Sequence, residues 1–313
     1  MNGLTKIIPS GQSKSGLVVE VIDLVDMFRE DHPKYDHFFK QAQDLLEGSF
    51  PENEREDGET ILRRISDFTK EKNPDWVSCN LIAIINESVR GLMYGEILPT
   101  KNKGFVGFGG DGAVEPSVRR EGIGKILEES FFNKCISFAQ TNNYKRGVFF
   151  GEVEKPDSSD DQMRNVIRPK HHHTALGLGA AVIIDLEGTV KALPYAQPGI
   201  SRGAPEVNLL ACFTPFNVKK GAVDKMALEP GTVIGLDGKL LEDKARLPQL
   251  KPDFVIEYIR TVLIDSYAKD SETCDREQCQ NILKRVESSL KHHEQVFLVP
   301  ISDTKHIDYA TRS

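Results

Sequence analysis

The residues best placed to do chemistry lie in "VEPSVRREGIGKIL", residues 114–127, where a glycine-rich apolar run passes a proline and enters a helical pattern. Arg119-Arg120-Glu121-Gly122-Ile123-Gly124 occupies the junction. A helix start carries N–H donors with no partner in the helix and a partial positive charge, which together favour an anion. Gly122 and Gly124 put no side chain in the way, so phosphate oxygens could reach the backbone amides of Gly122, Ile123 and Gly124. Arg119, Arg120 and Lys125 could add charge-assisted bonds. The same residues would also serve as a basic turn whose glycines only allow a sharp change of direction. Their spacing alone does not choose between the two.

Two neighbouring motifs are set aside on physical grounds. "GFGGDG" (107–112) matches the dinucleotide-binding spacing, but that fingerprint needs a helix directly after it. Here Ala113-Val114-Glu115-Pro116 follows, and the residue before a proline is pushed out of helical geometry. The Gly-Lys at 124–125 suggests a phosphate-binding loop, yet Arg119 and Ile126 stand where glycine and Ser or Thr are required.

The elements that must position the junction follow from periodicity. "LVVEVIDLV" (17–25) reads as a strand, and "HFFKQAQDLLEG" and "GETILRRISDFTKE" as helices joined by the solvated charge run "PENEREDGE". "VSCNLIAIINES" and "VRGLMYGEIL" meet at Glu87-Ser88 as a hairpin, and "GFVGFGGDGAVEP" is a third strand. After the junction, Ile123, Leu127, Phe131 and Cys135 recur four apart on one helix. "RGVFFGEV", "AAVIIDL" and "PEVNLLACFTP" (205–215) return to strand. "DFVIEYIRTVLIDSYAK" and "REQCQNILKRVESSLKHH" are helical, and "VFLVPI" closes the pattern. The reading is a loose start (1–15), a main domain (16–215) and a helical C-terminal extension (216–313).

With 313 residues and a formal net charge of −7, nothing concentrates Lys and Arg as a nucleic-acid or anionic-membrane partner would demand. No window reaches the length of a membrane span, and residues 1–16 lack the apolar core of a signal peptide. Five scattered cysteines suit free thiols in a reducing compartment. The expectation is a soluble, cytoplasmic protein.

Val114, Pro116, Arg119, Gly122 and Gly124 match, position by position, the pyrophosphate loop of the GNAT superfamily of acyl-CoA-dependent N-acyltransferases. The order of elements over residues 16–215 resembles that family as well. "LPYAQPGI" followed by "VNLLACF" is similar to a bacterial subgroup with a Tyr-x-Gln-Pro stretch and a helical C-terminal extension. The resemblance implies an α/β (α+β) GNAT fold, a mixed and mostly antiparallel sheet flanked by helices, with that extension as an appendage. It implies acetyl-CoA as co-substrate, no metal, and a small-molecule or peptide amine as acceptor. Backbone groups of Gly112, Ala113 and Val114 would bond the pantetheine arm, and one N–H there would polarise the thioester carbonyl.

The resemblance also implies a base, because an amine must lose its proton to react. Glu152, ending "VFFGEV", is the first candidate and Glu96, in "MYGEIL", the second; either could instead be a solvated strand-end carboxylate. The family places a Tyr before a Leu-Gly-aromatic turn, and here His173 of His173-Thr174-Ala175-Leu176-Gly177-Leu178 holds that place. Imidazole can donate a proton near neutral pH. Tyr195 is the fallback acid, and it could equally be a strand residue or a substrate contact.

The remaining features carry less chemistry. His171, His172 and His173 are adjacent, point different ways on a helix, and have no carboxylate or thiol at ligand spacing. Cys274 and Cys279 lack a second pair for zinc. The amphipathic extension must bury a face, so it could cap a substrate mouth, form a homodimer surface or extend the core. Two functions compete: an N-acyltransferase, and a non-catalytic acyl-CoA-binding or sensing module. The second needs the phosphate loop but no proton handling, and turnover separates them.

Overall fold

A computed structural model of the chain describes residues 11–51, 55–71, 74–156, 177–199, 204–219, 222–225, 233–241, 244–269 and 274–310. The fold is a mixed α/β arrangement, with mostly antiparallel strands flanked by helices. By its contacts the chain divides into two compact units, Met1–Ile97 with Gly109–Ser137, and Leu98–Phe108 with Phe138–Ser313.

In the first unit, strands β1 (Gly11–Gln12), β2 (Val18–Asp23), β3 (Val77–Ile85) and β4 (Ser88–Pro99) pair in sequence order and antiparallel. The strand read over 17–25 is shorter than expected. Asp23 ends it because its Oδ1 accepts from Val25 N (2.9 Å), capping helix α1 (Leu24–Arg29), and from Asn80 N (3.2 Å) in β3. Asp57 caps the start of α3 (Gly58–Lys70) in the same way, after α2 (Tyr35–Ser49). The hairpin between β3 and β4 turns through Asn86 and Glu87, both at positive φ (49° and 62°), which matches the twist of the paired strands. Strand β5 (Phe105–Val114) contributes residues 109–114 to this unit.

Helix α4 (Ile123–Thr141) follows the junction. A Cβ on Gly91 of β4 would lie 3.0 Å from Ile123 Cγ2 and 3.1 Å from Leu127 Cδ1, so glycine lets the start of the helix seat closely on the sheet. Two turns beyond Leu127, Lys134 reaches Asp23, 1% exposed, with Nζ 2.7 Å from Oδ2. Burial works to lower the Lys134 pKa, but the Asp23 carboxylate and its neighbours outweigh it and raise the value. This buried pair ties α4 to the β2–α1 corner.

The second unit holds β6 (Arg146–Val153), β7 (Gly179–Ile184), β8 (Val190–Ala192), β9 (Ala196–Gln197), β10 (Val207–Asn208), β11 (Leu210–Lys219), β12 (Ala222–Lys225), β13 (Gln249–Leu250) and β14 (Val296–Pro300). The sheet runs β6-β11-β7-β14-β13, with β12 on β11 and β8 on β7, while β9 and β10 pair separately. β11 pairs antiparallel with β6, β7 and β12, as do β14 with β7 and β13 and β8 with β7, and an isolated parallel bridge joins Ala192 to Tyr309. "VFLVPI" is therefore more than a terminal apolar run: β14 adds directly to β7.

The segment read as one helix over 253–269 is helical in three geometries. Helix α5 (Pro252–Arg260) passes into a π-helical stretch (Thr261–Ser266) and a 3-10 turn (Tyr267–Lys269). Thr261 Oγ1 bonds back to Glu257 O (2.9 Å) at the transition, a bond that bends helices. This segment and α6 (Arg276–Leu290) bury Val255, Ile259, Val262, Leu263, Ile282 and Val286 in one core with Phe150, Phe213 and Leu298 of the sheet.

Removing Lys134 would leave the buried Asp23 carboxylate without its cation. Lys134→Met should lower unfolding free energy by about 3 kcal/mol, read from urea denaturation at neutral pH. A loss below about 0.5 kcal/mol, ordinary for an exposed pair, would show that the pair is not what fixes this corner.

Candidate functional site

The strand–turn–helix junction belongs to the first unit. After β5, a 3-10 turn (Pro116–Val118) leads to Arg120 at φ 70° and Gly122 at φ 88°. Left-handed backbone at Gly122 costs little because glycine has no Cβ, and nothing lies within 4 Å of where one would be. The first bond inside the helix runs from Ile126 N to Gly122 O (3.1 Å), so the amides just ahead of Ile126 are those that a helix start leaves without intrahelical partners. Arg119, Arg120 and Lys125 are exposed, while Ile123 is buried and anchors the turn.

Three of the expected cofactor contacts, Arg119, Val114 and Lys125, are already engaged within the chain, Lys125 with Nζ 3.6 Å from Glu129 Oε1. Arg119 Nε donates to Val114 O (2.9 Å), folding the side chain back along the strand end. The junction is braced from the N-terminus, where Lys14 N donates to Glu121 O (3.0 Å) and Ser15 N to Glu121 Oε2 (2.9 Å). Glu115 donates its N–H to Arg90 O (2.9 Å) and pairs with the Arg90 guanidinium. Bonds first from the Ser117 hydroxyl and then from Arg90 hold its pKa below the usual carboxylate value. The strand glycines leave surface open: a Cβ on Gly110 or Gly112 would come no nearer than 3.4 Å or 3.9 Å to the neighbouring carbonyls of Tyr94 and Leu92. Neither packing nor a positive φ demands glycine there.

Glu96, also in the first unit, is 6% exposed and has Oε1 3.4 Å from Arg64 Nε. The two terminal nitrogens of Arg64 bond Glu56 (2.9 and 2.6 Å). Arg64 thus ties Glu96 into an ion-paired cluster.

Glu152, in the second unit, has a different environment. It sits near the end of β6, opposite Ala211 of β11. The Tyr195 hydroxyl donates to Oε1 in a short contact, and the Tyr267 hydroxyl donates to Oε2 at 2.6 Å. Burial raises the carboxyl pKa from 4.5 to about 7, against the opposing pull of the bonds from Tyr195 and Tyr267. The residue is half-buried, but its carboxyl is enclosed. Tyr195 is 0% exposed, its ring edge-on to Phe150 at 5.7 Å between centroids. Burial first, then the Glu152 carboxylate, raises the Tyr195 pKa, so this phenol keeps its proton and acts as a donor. Tyr195 is not a strand residue; it precedes β9.

The structure thus brings two expected site residues, Glu152 and Tyr195, into direct contact. His173 lies outside the described residues. Tyr267 was missed: it stands 115 positions from Glu152, in a segment whose period signals only an amphipathic helix. Among the described residues, no group of three or more His, Cys, Asp or Glu side chains is arranged to hold a metal ion. None of the described helices is long and apolar enough to cross a membrane. None of the five cysteines forms a disulfide, and all are buried.

No family model and no curated protein matches the chain. Among solved structures it is similar to a protein assigned as a GNAT-family acetyltransferase from Bacteroides thetaiotaomicron, at 16% identity and a TM-score of 0.34, over 62% of this chain and 85% of that one. It is also similar to an acetyltransferase of the GNAT family from Streptococcus pneumoniae (16% identity, TM-score 0.33, 65% and 99% covered). A third similarity is to an aminoglycoside 6'-N-acetyltransferase complexed with coenzyme A (14% identity, TM-score 0.34, 68% and 99% covered). Scores of this size are too low to identify a fold or an activity.

The environment of Glu152 makes stability depend on pH. The folded protein holds that proton up to about 7, whereas an unperturbed glutamate ionises near 4.5. Its contribution is complete below the lower value and disappears as pH rises through the higher one. The stability of the native chain minus that of Glu152→Gln should therefore fall by on the order of 3 kcal/mol between about pH 4 and pH 8. Parallel denaturation curves across that range would show that the carboxyl titrates normally.

Proposed function

We propose that this protein is an acyl-CoA-dependent N-acyltransferase that moves an acetyl group from acetyl-CoA to the amine of a small molecule or peptide. The observation that carries the reading is the Glu152 carboxyl, held near neutral titration where the GNAT resemblance expects a base. The junction at 119–125 supports it independently, through its match to the pyrophosphate-loop pattern and its open helix start at Gly122.

The physical requirement is a neutral amine. A primary amine with a pKa of about 10 is nearly all ammonium at pH 7, and a base titrating near the working pH combines availability with proton affinity. Glu152 meets that condition, whereas Glu96 faces Arg64. Acetyl-CoA supplies the activated acyl group as a thioester. The amine nitrogen forms the new C–N bond at the thioester carbonyl carbon, the C–S bond breaks with its electron pair on sulfur, and the nitrogen's proton goes to Glu152. An N–H of the 112–114 backbone polarises the carbonyl. Amides at Gly122, Ile123 and Gly124, with Arg120 and Lys125, hold the diphosphate. The single Tyr195 proton is committed to Glu152, so returning a proton to sulfur falls to His173 or to water.

With acetyl-CoA and a panel of amines, release of the CoA thiol should be measurable, and Glu152→Gln should lower kcat/KM by about 10²–10⁴-fold while acetyl-CoA still binds. Gly124→Glu sets a carboxylate against the phosphates and should weaken acetyl-CoA binding by at least tenfold in calorimetry, with the fold retained. Tight binding with no turnover of any amine would identify an acyl-CoA sensor. No affinity at millimolar acetyl-CoA would refute both.

A further inference from the structure

Tyr267 belongs to the C-terminal helical region, outside the stretch that carries the GNAT resemblance. We infer that it is a positioning residue for the candidate base: its phenol holds Glu152 Oε2 while Tyr195 holds Oε1, so the C-terminal segment completes the proton-accepting site. The inference rests on the acyl-transfer reading and assigns that segment a task in it.

Several observations within the second unit converge on this role. Each carboxylate oxygen receives one O–H, from Tyr195 on one side and from Tyr267, at 2.6 Å, on the other. Two donors on two oxygens fix the plane of the group, which one donor would leave free to rotate. They also leave each oxygen a second lone pair with which to accept a proton. The Tyr267 ring lies against Phe108 at 5.5 Å between centroids, and Phe108 packs on Phe150, two residues before Glu152. The phenol is thereby held from the ring side as well as by its hydroxyl.

The backbone leading to Tyr267 has the geometry of a placed side chain. Residues 261–266 are π-helical, and Tyr267 N reaches both Leu263 O and Val262 O. A wide turn changes the direction in which the following residue faces, relative to a continuous α-helix with its 100° per residue, and such turns concentrate at functional sites. The segment is also well seated: Val262, Leu263 and Ala268 are fully buried on either side. Tyr267 itself is half-buried, while Tyr195 is enclosed.

Among the described residues, the groups acting on the Glu152 carboxyl are these two phenols, and the Cys274 and Cys279 thiols share the core with Tyr195 and act on its hydroxyl. No cation among the described residues is one of the groups shifting it. Each O–H therefore favours the ionised form against burial, and losing one moves the titration upward.

The test is Tyr267→Phe, which keeps the ring against Phe108 and removes only the hydroxyl. The Glu152 carboxyl is followed by carbon-13 NMR in full-length protein, assigned by its absence in Glu152→Gln, with the melting curve as a check on folding. The expected result is a titration midpoint above the native value of about 7, with a roughly tenfold change in the ionisation constant. The acid limb of kcat/KM should shift with it, giving several-fold lower activity at pH 7, near-native activity at high pH, and unchanged KM for acetyl-CoA. A variant that melts lower but leaves both the titration and the acid limb in place makes Tyr267 a packing residue and overturns the inference. If the titration moves but the native protein acylates no amine, the coupling of Tyr267 to Glu152 stands and the acyl-transfer reading falls instead.

Discussion

A carboxyl group enclosed with neutral partners is the constraint on which the second unit's chemistry depends. Taking a carboxylate out of water costs several kcal/mol unless a cation or hydrogen bonds compensate. In the first unit, cations compensate: Lys134 faces Asp23 and Arg64 faces Glu96. Glu152 has two phenols instead. Neutral donors compensate only in part, and the remaining cost appears as a pKa lifted to about 7. The same residue type thus has opposite uses, fixed by whether its partner carries charge. A paired carboxylate braces structure, while an incompletely compensated one exchanges protons near neutral pH.

The junction at 119–125 is governed by backbone geometry. Two left-handed residues, Arg120 and Gly122, turn the chain from β5 into α4. Arg120 meets that conformation with a side chain that disfavours it, and the bonds of Ser15 and Lys14 to Glu121 help to hold the turn. Behind it, Gly91 lets Ile123 and Leu127 close onto β4. The helix start is therefore seated by packing on one side and open at Gly122.

The C-terminal region serves the sheet as well as covering it. Strand β14 joins β7, and the helices bury their apolar faces in the core that contains Phe150 and Phe213. Once that burial fixes the segment, Tyr267 arrives beside Glu152 with the precision of a core residue. A phenol on a solvated loop would have to be ordered at an entropic cost each time it bonded.

Local chemistry was legible in the sequence, because it depends on near neighbours. The β6 strand over 146–153, a hairpin near Glu87 (read at Glu87-Ser88, its turn falling one residue earlier), the helix beginning at Ile123 and the glycine-bearing turn before it all follow from period, turn residues and the reach of a few bonds. The stop at Asp23 was not read, since an aspartate in an apolar run looks like a strand residue until its capping bond is seen. Glu152 and Tyr195 could be named one at a time, but not as partners. Their contact, the third member at Tyr267, the loss of Glu96 to Arg64 and the return of Arg119 to Val114 O were decided by tertiary structure. The reason is physical: a side chain's proton affinity and free donors depend on what stands within about 3 Å, and packing brings those atoms from positions the chain order does not relate.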